Sequence, residues 1–342
     1  MVTFLVAVCA SLAQNPGGHI AFIQQDNVNR RTVCVLDVTS GAVQSLSEGP
    51  WDGAPVWSPD GSQLAFDSEA DDGTVRVRVV AADGSKRVDI SHADPVNRTP
   101  AWSPDGKKLA YGSGAGEARH VRVYDVATGD ESVWGAPEPN GDAQRKIAFL
   151  KPVWLTNDEI VAVGIRDNEE GRTADLYKLE QVDATPMVET RGLGIYVEWM
   201  PTAHAPTGQL AYESNDGGDR EIFVFSSSPL RLNDVSNHRD ADWNPVWSMD
   251  GGWLAFESFR GGSRGIFRVA PQGTVVTTVA ADSSYDNWSP TWSPDGEWIA
   301  FVSTRTGKAM LHACRADGSD VRALTNHDGE DLAPAWRPVK AK

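Results

Sequence analysis

The chain has 342 residues, 40% of them hydrophobic, with 47 acidic against 31 basic side chains, for a formal net charge of −16 and a pI near 4.8. That balance excludes a protein whose main task is to neutralise nucleic-acid phosphates or an anionic membrane surface, because either task needs a basic face. Length alone permits two domains, but a repeat runs from end to end without a linker and calls for one β-rich domain over residues 19–338.

At the N-terminus, residues 2–10 are apolar and too short to span a bilayer, and Ser11-Leu12-Ala13 before Gln14 offers the small residues a signal peptidase accepts. Residues 1–13 therefore read as a signal peptide, although no Lys or Arg precedes the apolar stretch, and the mature protein is expected to be periplasmic or secreted. Val8 stands where a lipoprotein signal needs a small residue before Cys9. No later segment reaches membrane-spanning length. Cys34 and Cys314 fall in the third strands of neighbouring blades, too far apart for a disulfide, and are expected to be buried free thiols.

Residues 19–46 supply three strands, at Ile20-Ala21-Phe22, 33–38 and 43–46, with no tryptophan phrase before them. From there on a phrase recurs. Trp57, Trp102, Trp154, Trp199, Trp247, Trp292 and Trp336 follow one another at intervals of 45, 52, 45, 48, 45 and 44 residues. The phrase is clearest in Pro55-Val56-Trp57-Ser58-Pro59-Asp60-Gly61 followed by Leu64-Ala65-Phe66. Pro-x-Trp predicts a short inner strand, since proline tolerates only strand starts and unpaired edges. Ser-Pro-Asp-Gly predicts a tight turn, with proline presetting φ and glycine taking positive φ. Leu-Ala-Phe is apolar on both faces, as a strand buried on both sides requires. A third strand follows, as at 75–80, 121–126, 221–225 and 266–269. Glycine turns at Ser40-Gly41, Asp83-Gly84, Thr128-Gly129, Gln272-Gly273 and Asp317-Gly318 lead to a short outer strand.

The inner strand missing at the start is present at the end, in Ala333-Pro334-Ala335-Trp336. The fold expected is therefore all-β: a seven-bladed β-propeller of four-stranded antiparallel blades, closed by N- and C-terminal strands in one blade. Two repeats depart from the pattern. Trp154 precedes Leu-Thr-Asn-Asp, and Trp199 precedes a turn four residues longer that holds His204.

The phrase, with Ser303-Thr304-Arg305-Thr306-Gly307 and Leu324-Thr325-Asn326 downstream, resembles the WD40-like propeller repeat of the TolB family, over nearly the whole chain after residue 18. The resemblance implies blades of a kind found in periplasmic TolB, in tricorn-like and prolyl-oligopeptidase-like peptidases and in several polysaccharide lyases. TolB itself has six blades and an N-terminal α/β domain, whereas this chain counts seven and begins its first blade near residue 19.

Function is sought in the loops that carry the chain from each outer strand to the next inner strand, because they crowd one mouth of the channel. Five residues before each tryptophan stand Asp52, Asn97, Phe149, Gly194, Asp242, Asn287 and Asp331. Taken singly, each Asp or Asn reads as an Asx turn capping backbone amides. Taken with their neighbours they form a candidate ligand-binding sector: Trp51, Asp52, Arg98, Asp240, Asp242, Trp243, Asn244, Asp286, Asn287, Trp288, Glu330 and Asp331, with Tyr285 beside them. Aromatic faces next to fixed carboxylates and amides suit sugar rings, cations or peptide backbone.

No motif calls for a cofactor or a metal site, although the acidic loops offer oxygen ligands to a divalent cation. Gly261-Gly262-Ser263-Arg264-Gly265 fits the nucleophile-elbow pattern but aligns with an ordinary hairpin turn. His92, His238 and His327 recur at one position of the repeat and read as turn residues. Asn97-Arg-Thr and Asn287-Trp-Ser match the glycosylation sequon. The favoured function is non-catalytic binding of a protein or glycan partner by a monomer. The alternative is a propeller-type polysaccharide lyase, with Arg98, His204, Tyr196 and Tyr285 as first candidates. A purely structural propeller is the third reading.

Overall fold

The computed structural model describes residues 15–339 apart from 91–93, 117–118, 136–146, 169–170, 180–183, 187–200, 216–217, 228–229 and 274. The expected signal segment, Trp199 and His92 lie outside the described residues, as does Tyr196. Nearly all regular structure among the described residues is β-strand. Five sheets have four strands each, ordered as in the sequence from the inner strand outward. Their inner strands are Asn97–Trp102, Ala148–Trp154, Thr202–His204, Asp242–Trp247 and Asn287–Trp292.

A sixth sheet has nine strands in two sets. One set is Glu330–Trp336, His19–Gln25, Arg31–Asp37 and Val43–Ser45. The other joins Trp51–Asp52 and Val56–Trp57 to Gln63–Glu69, Val75–Ala81 and Arg87–Ile90. A single parallel pair, Arg31 with Trp51, links the two sets. The last strand pairs antiparallel with the first, Trp336 opposite Ile20 and Ala335 opposite Ala21, so the expected meeting of the termini is present.

Alternation along the second strands decides the packing. Leu64 and Phe66 enter one apolar cluster, with Ala21, Val33 and Trp57, while Ala65 between them enters the next, with Leu109 and Tyr111. Each such strand is thus buried on both faces, which is why it reads as an unbroken apolar run. The first and last strand sets share a cluster of Ile20, Phe22, Leu36, Trp298, Leu311 and Trp336. Cys34 and Cys314 are buried free thiols, as expected, and burial pushes Cys314 up to about 12.

The repeat tryptophans do more than fill space. Trp57 Nε1 donates to Ala335 O at 2.9 Å, Trp102 to Val56 O at 3.3 Å, Trp154 to Ala101 O at 2.9 Å, Trp247 to Thr202 O at 3.1 Å and Trp292 to Val246 O at 3.1 Å. In every case the acceptor belongs to the preceding inner strand. Each indole therefore ties neighbouring strand sets together while satisfying its own N–H and a carbonyl at the unpaired edge.

Two features differ from the sequence expectation. In the sheet that begins at Thr202, Ala203 pairs with Leu210, where Trp57 pairs with Leu64 elsewhere, so Ala203 and not Trp199 takes the repeat position. His204 then packs its ring 5.7 Å from that of Trp247, its Nε2–H donates to Met249 O at 3.1 Å, and its Nδ1 lies 2.8 Å from Thr207 Oγ1. The second difference concerns the inner strands, which begin earlier than Pro-x-Trp. Thr99, Lys151, Asn244, Ser289 and Ala333, each preceding a proline, have φ between 47° and 56°. A bulge sits at that point in each of these strands. The left-handed residue offsets the ladder hydrogen bond that the proline cannot make, and the strand resumes on the far side.

Replacing Trp292 tests this account of the tryptophans. Trp292→Ala is expected to cost about 3–5 kcal/mol in denaturant unfolding, and Trp292→Phe, which removes chiefly the indole bond, about 1 kcal/mol. Equal losses in the two variants would contradict a role divided between packing and hydrogen bonding.

Candidate functional site

Because the inner strands start upstream of their bulges, the Asp and Asn residues five before the tryptophans lie within strands, not in loops. Asp52, Asn97, Asp242, Asn287 and Asp331 are all fully buried, with 0% exposure. Asp52, Asn97, Asp242 and Asn287 stand opposite Ser68, Ser113, Ser258 and Ser303 in the neighbouring strand. Each has at least one side-chain polar atom bonded internally, although Asp52 Oδ1 and Asp242 Oδ1 have no hydrogen-bond partner among the described residues. Ser47 Oγ donates to Asp52, Thr325 Oγ1 to Asp331, Arg260 Nη2 to Asp242 at 2.5 Å, and Arg305 Nη2 to Asn287 Oδ1 at 3.2 Å. Asp52, Asp242, Asn287 and Asp331 therefore hold the wall of the mouth and do not present their side chains at it. The sequons at Asn97 and Asn287 are corrected on the same ground, since neither amide reaches the surface.

The other candidates are half-buried or exposed and fall into two groups. In the first, Arg264 Cζ lies 5.5 Å from the Trp243 ring and 5.6 Å from the Trp288 ring, joining the loops of two successive sheets through one guanidinium. Phe259, half exposed, packs on the other side of Trp243 with 5.0 Å between centroids. Asp286 Oδ1 accepts Arg264 N at 3.1 Å, and its own N–H reaches Thr304 Oγ1 at 3.0 Å, which carries the strip on to Arg305 and Tyr285. In the second group, Arg31 and Arg98 both stand over Trp51, at 5.1 and 5.3 Å, and Arg98 approaches Glu69 at 3.9 Å. Asp240 approaches His238 at 3.5 Å, and Glu330 is exposed at the start of its strand. No hydrogen bond, ion pair or ring contact joins the two groups among the described residues.

Below the first group lies a floor of acids that sequence reasoning missed. Glu257, fully buried, accepts Arg264 Nε at 2.5 Å, Asn244 Nδ2 at 2.6 Å and the N–H of left-handed Ser289 at 2.8 Å. Glu213 does the same for the N–H of left-handed Asn244 at 2.7 Å and approaches Arg220 at 3.6 Å. Each carboxylate belongs to one sheet and each left-handed residue to the next, so charge-assisted bonds fasten the strained turn to its neighbour. Arg264 thus has its charge paired with Glu257 and its guanidinium within cation–π distance of two half-buried indoles.

The candidates for chemistry do not converge. His204 lies at the opposite end of its strand, where Gly251 of the next turn leaves room for its ring, whereas Arg98 and Tyr285 stand at the loop end. Ser263 Oγ donates to Asp282 O and to Tyr285 O at 2.9 Å, which makes it a hairpin brace. His238 and His327 each accept the backbone N–H two residues on, at 3.1 Å, as turn residues do. Among the described residues no group of three or more His, Cys, Asp or Glu side chains is placed to hold a metal ion. A cavity of about 470 Å³, lined by His19, Asp60, Asp295, Trp298 and Arg337 among others, opens on the end of the Ser-Pro-Asp-Gly turns, away from the aromatic strip.

Residues 178–338 match the family described as TolB beta propeller domain. No curated protein matches the chain. Among solved structures, TolB from Acinetobacter baumannii is similar over 96% of this chain and 69% of its own, with 16% identity and a TM-score of 0.64. The β-propeller domain of the Trilobed protease from Pyrococcus furiosus is similar over 92% and 96%, with 14% identity and a TM-score of 0.67. The acylaminoacyl peptidase from Pyrococcus horikoshii is similar over 92% of this chain but only 51% of its own, with 13% identity and a TM-score of 0.65. At such identities the likeness establishes the fold, an all-β propeller.

Burial raises the Glu213 carboxyl from 4.5 to about 7, against the opposing pull of Asn244 N–H and Arg220. A carboxyl whose folded pKa lies above its unfolded value binds its proton more tightly when folded. Its stabilising contribution is full below about 4.5 and lost as pH rises through about 7. Glu213→Gln is therefore expected to flatten the fall in Tm across that window. A variant whose Tm tracks the wild type at every pH would contradict the assignment.

Proposed function

We propose that this TolB-like β-propeller protein is a non-catalytic extracytoplasmic binding protein that holds a peptide segment or glycan of its partner on the aromatic strip at the loop end of the channel. The observation that carries this reading is the cluster of Phe259, Trp243, Arg264 and Trp288, which sets two half-buried indoles around one guanidinium whose charge is already paired. Rigid aromatic surface of this kind gives contact area at small entropic cost. The ring itself reads as seven blades closed by the two termini. Support comes from the nine-stranded sheet, which divides into a set of four strands and a set of five in which the short Trp51–Asp52 and Val56–Trp57 share the inner-strand place, and from the cluster shared by the first and last sets.

Location outside the cytoplasm rests on the apolar segment 2–10 with its small-residue cleavage pattern. No helix among the described residues is long and apolar enough to cross a membrane. The lyase reading has less behind it, since His204 and Tyr285 stand at opposite ends of their sheets.

Screening the full chain against a glycan array and an envelope-protein peptide library, with detection of unsaturated uronides, separates the readings. Binding without product, lost in Trp243→Ala while the variant remains folded, is the expected result. Unsaturated product, or binding that survives Trp243→Ala and Trp288→Ala alike, would overturn it.

A further inference from the structure

Two successive sheets build the same guanidinium cradle with different electrostatics. Arg260 and Arg305 each follow a serine by two residues and place Nε 3.0 Å from that serine's Oγ. Each stands over the phenylalanine of its own strand, Phe256 at 5.3 Å and Phe301 at 5.6 Å. The groups facing the two arginines differ. Arg260 meets buried Asp242 at 2.5 Å, and Glu221, whose carboxyl interacts with Asp242, adds a second acid beside it. Arg305 meets Asn287 instead. Register places Gly265 where the previous sheet has Glu221, because Gly265 pairs with Ser258 as Glu221 pairs with Ser214. Asp242 N and Asn287 N confirm the alignment by bonding the carbonyls of Arg220 and Arg264. Two acids around the first arginine are thus neutral around the second.

Arg305 is half-buried, lies 4.7 Å from the Tyr285 ring, and forms no ion pair among the described residues, its Nη1 having no hydrogen-bond partner there. A guanidinium remains charged at any physiological pH, and partial burial without a counter-charge is unfavourable unless an anion completes the site. Asp282, the nearest acid on the adjoining loop, is within electrostatic reach but accepts Ser284 N at 2.9 Å and forms no ion pair with Arg305. The geometry points to Arg305, beside the neutral Asn287, as the receptor for a side-chain or terminal carboxylate of a bound peptide, an inference that rests on the loop-end binding face described above. A carboxylate engages the open edge of the guanidinium through charge-assisted bonds while its neighbours lie on Tyr285 and the strip beyond. A peptide suits the site better than a polyuronate, which brings one charge per sugar to a protein of net charge −16.

The full chain labelled with ¹⁵N-arginine allows the Arg305 Nε signal to be followed on titration with acetate, with a glutamate-containing peptide, with its glutamine counterpart and with oligogalacturonate. Acetate and the glutamate peptide are expected to shift Arg305, and the glutamine peptide to leave it unmoved. Asn287→Asp supplies the counter-charge that Arg260 already has. It should fold, with a modest loss of Tm because aspartate cannot replace the Nδ2 bond to Ala280 O at 3.3 Å, and bind the glutamate peptide about tenfold more weakly or worse. Should Asn287→Asp fail to fold, Arg305→Gln is expected to show the same loss of peptide affinity. An Arg305 signal indifferent to acetate and to the glutamate peptide, or wild-type affinity in these variants, would overturn the proposal. Tighter binding of oligogalacturonate than of the peptide would overturn the peptide assignment. If Trp243→Ala abolishes peptide binding while Asn287→Asp and Arg305→Gln do not, the carboxylate site falls and the aromatic face stands.

Discussion

An indole N–H reaching across to the carbonyl of the preceding inner strand is the contact on which the rest of this molecule depends. Inner strands are sheet edges, and their outward-facing backbone groups have no ladder partner of their own. By placing a tryptophan at the end of the inner strands other than Thr202–His204, where Ala203 holds the position, the chain covers the edge with a large apolar ring and satisfies a carbonyl with the same residue. The bond from Trp57 to Ala335 joins residues far apart in sequence. Trp336 departs from the scheme: its indole donates to Gly17 O at 3.1 Å, and its backbone N–H reaches Thr291 Oγ1 of the preceding inner strand at 3.1 Å.

The half-buried aromatic strip is a consequence of a second device, the left-handed residue before proline. It bulges each inner strand so that the residue five before the tryptophan turns inward while the next one turns out. Asp242 is buried and Trp243 half-buried for this reason, and the same holds for Asn287 and Trp288. The strain of a non-glycine residue at positive φ, roughly 1 kcal/mol or more, is offset where Glu257 or Glu213 accepts its N–H. Acids, bulges and indoles are thus parts of one arrangement, in which half-buried Trp243 and Trp288 stand beside bulges that Glu213 and Glu257 fasten to the neighbouring sheet.

Much of this was legible in the sequence. The tryptophan phrase specifies inner strand, turn and doubly buried second strand, and counting strands at the two ends pairs Ala335 with Ala21. The pattern does not show that the stretch before Pro-x-Trp is strand: proline marks the bulge, not the strand start, and the Asx residues belong in the wall. Trp199 falls near the right interval of the series, whereas pairing with Leu210 is what fixes the position, and Ala203 holds it. Arg264 escaped notice because its indole partners come from two different repeats. The difference between Arg260 and Arg305 was present in the text as Asp242 against Asn287, but its meaning depended on knowing that each faces a guanidinium.

The central claim is a division of labour among tryptophans, some locked between successive inner strands and others left half-buried at the loop end. Hydrogen exchange at the indole Nε1–H groups, resolved by NMR, measures that division residue by residue. The account predicts that Trp57, Trp154, Trp247 and Trp292 exchange only with global unfolding, while Trp243 and Trp288, whose Nε1 atoms have no hydrogen-bond partner among the described residues, exchange rapidly in the native state. Rapid exchange in the first set, or protection of Trp243 and Trp288 equal to theirs in the absence of a partner, would contradict it.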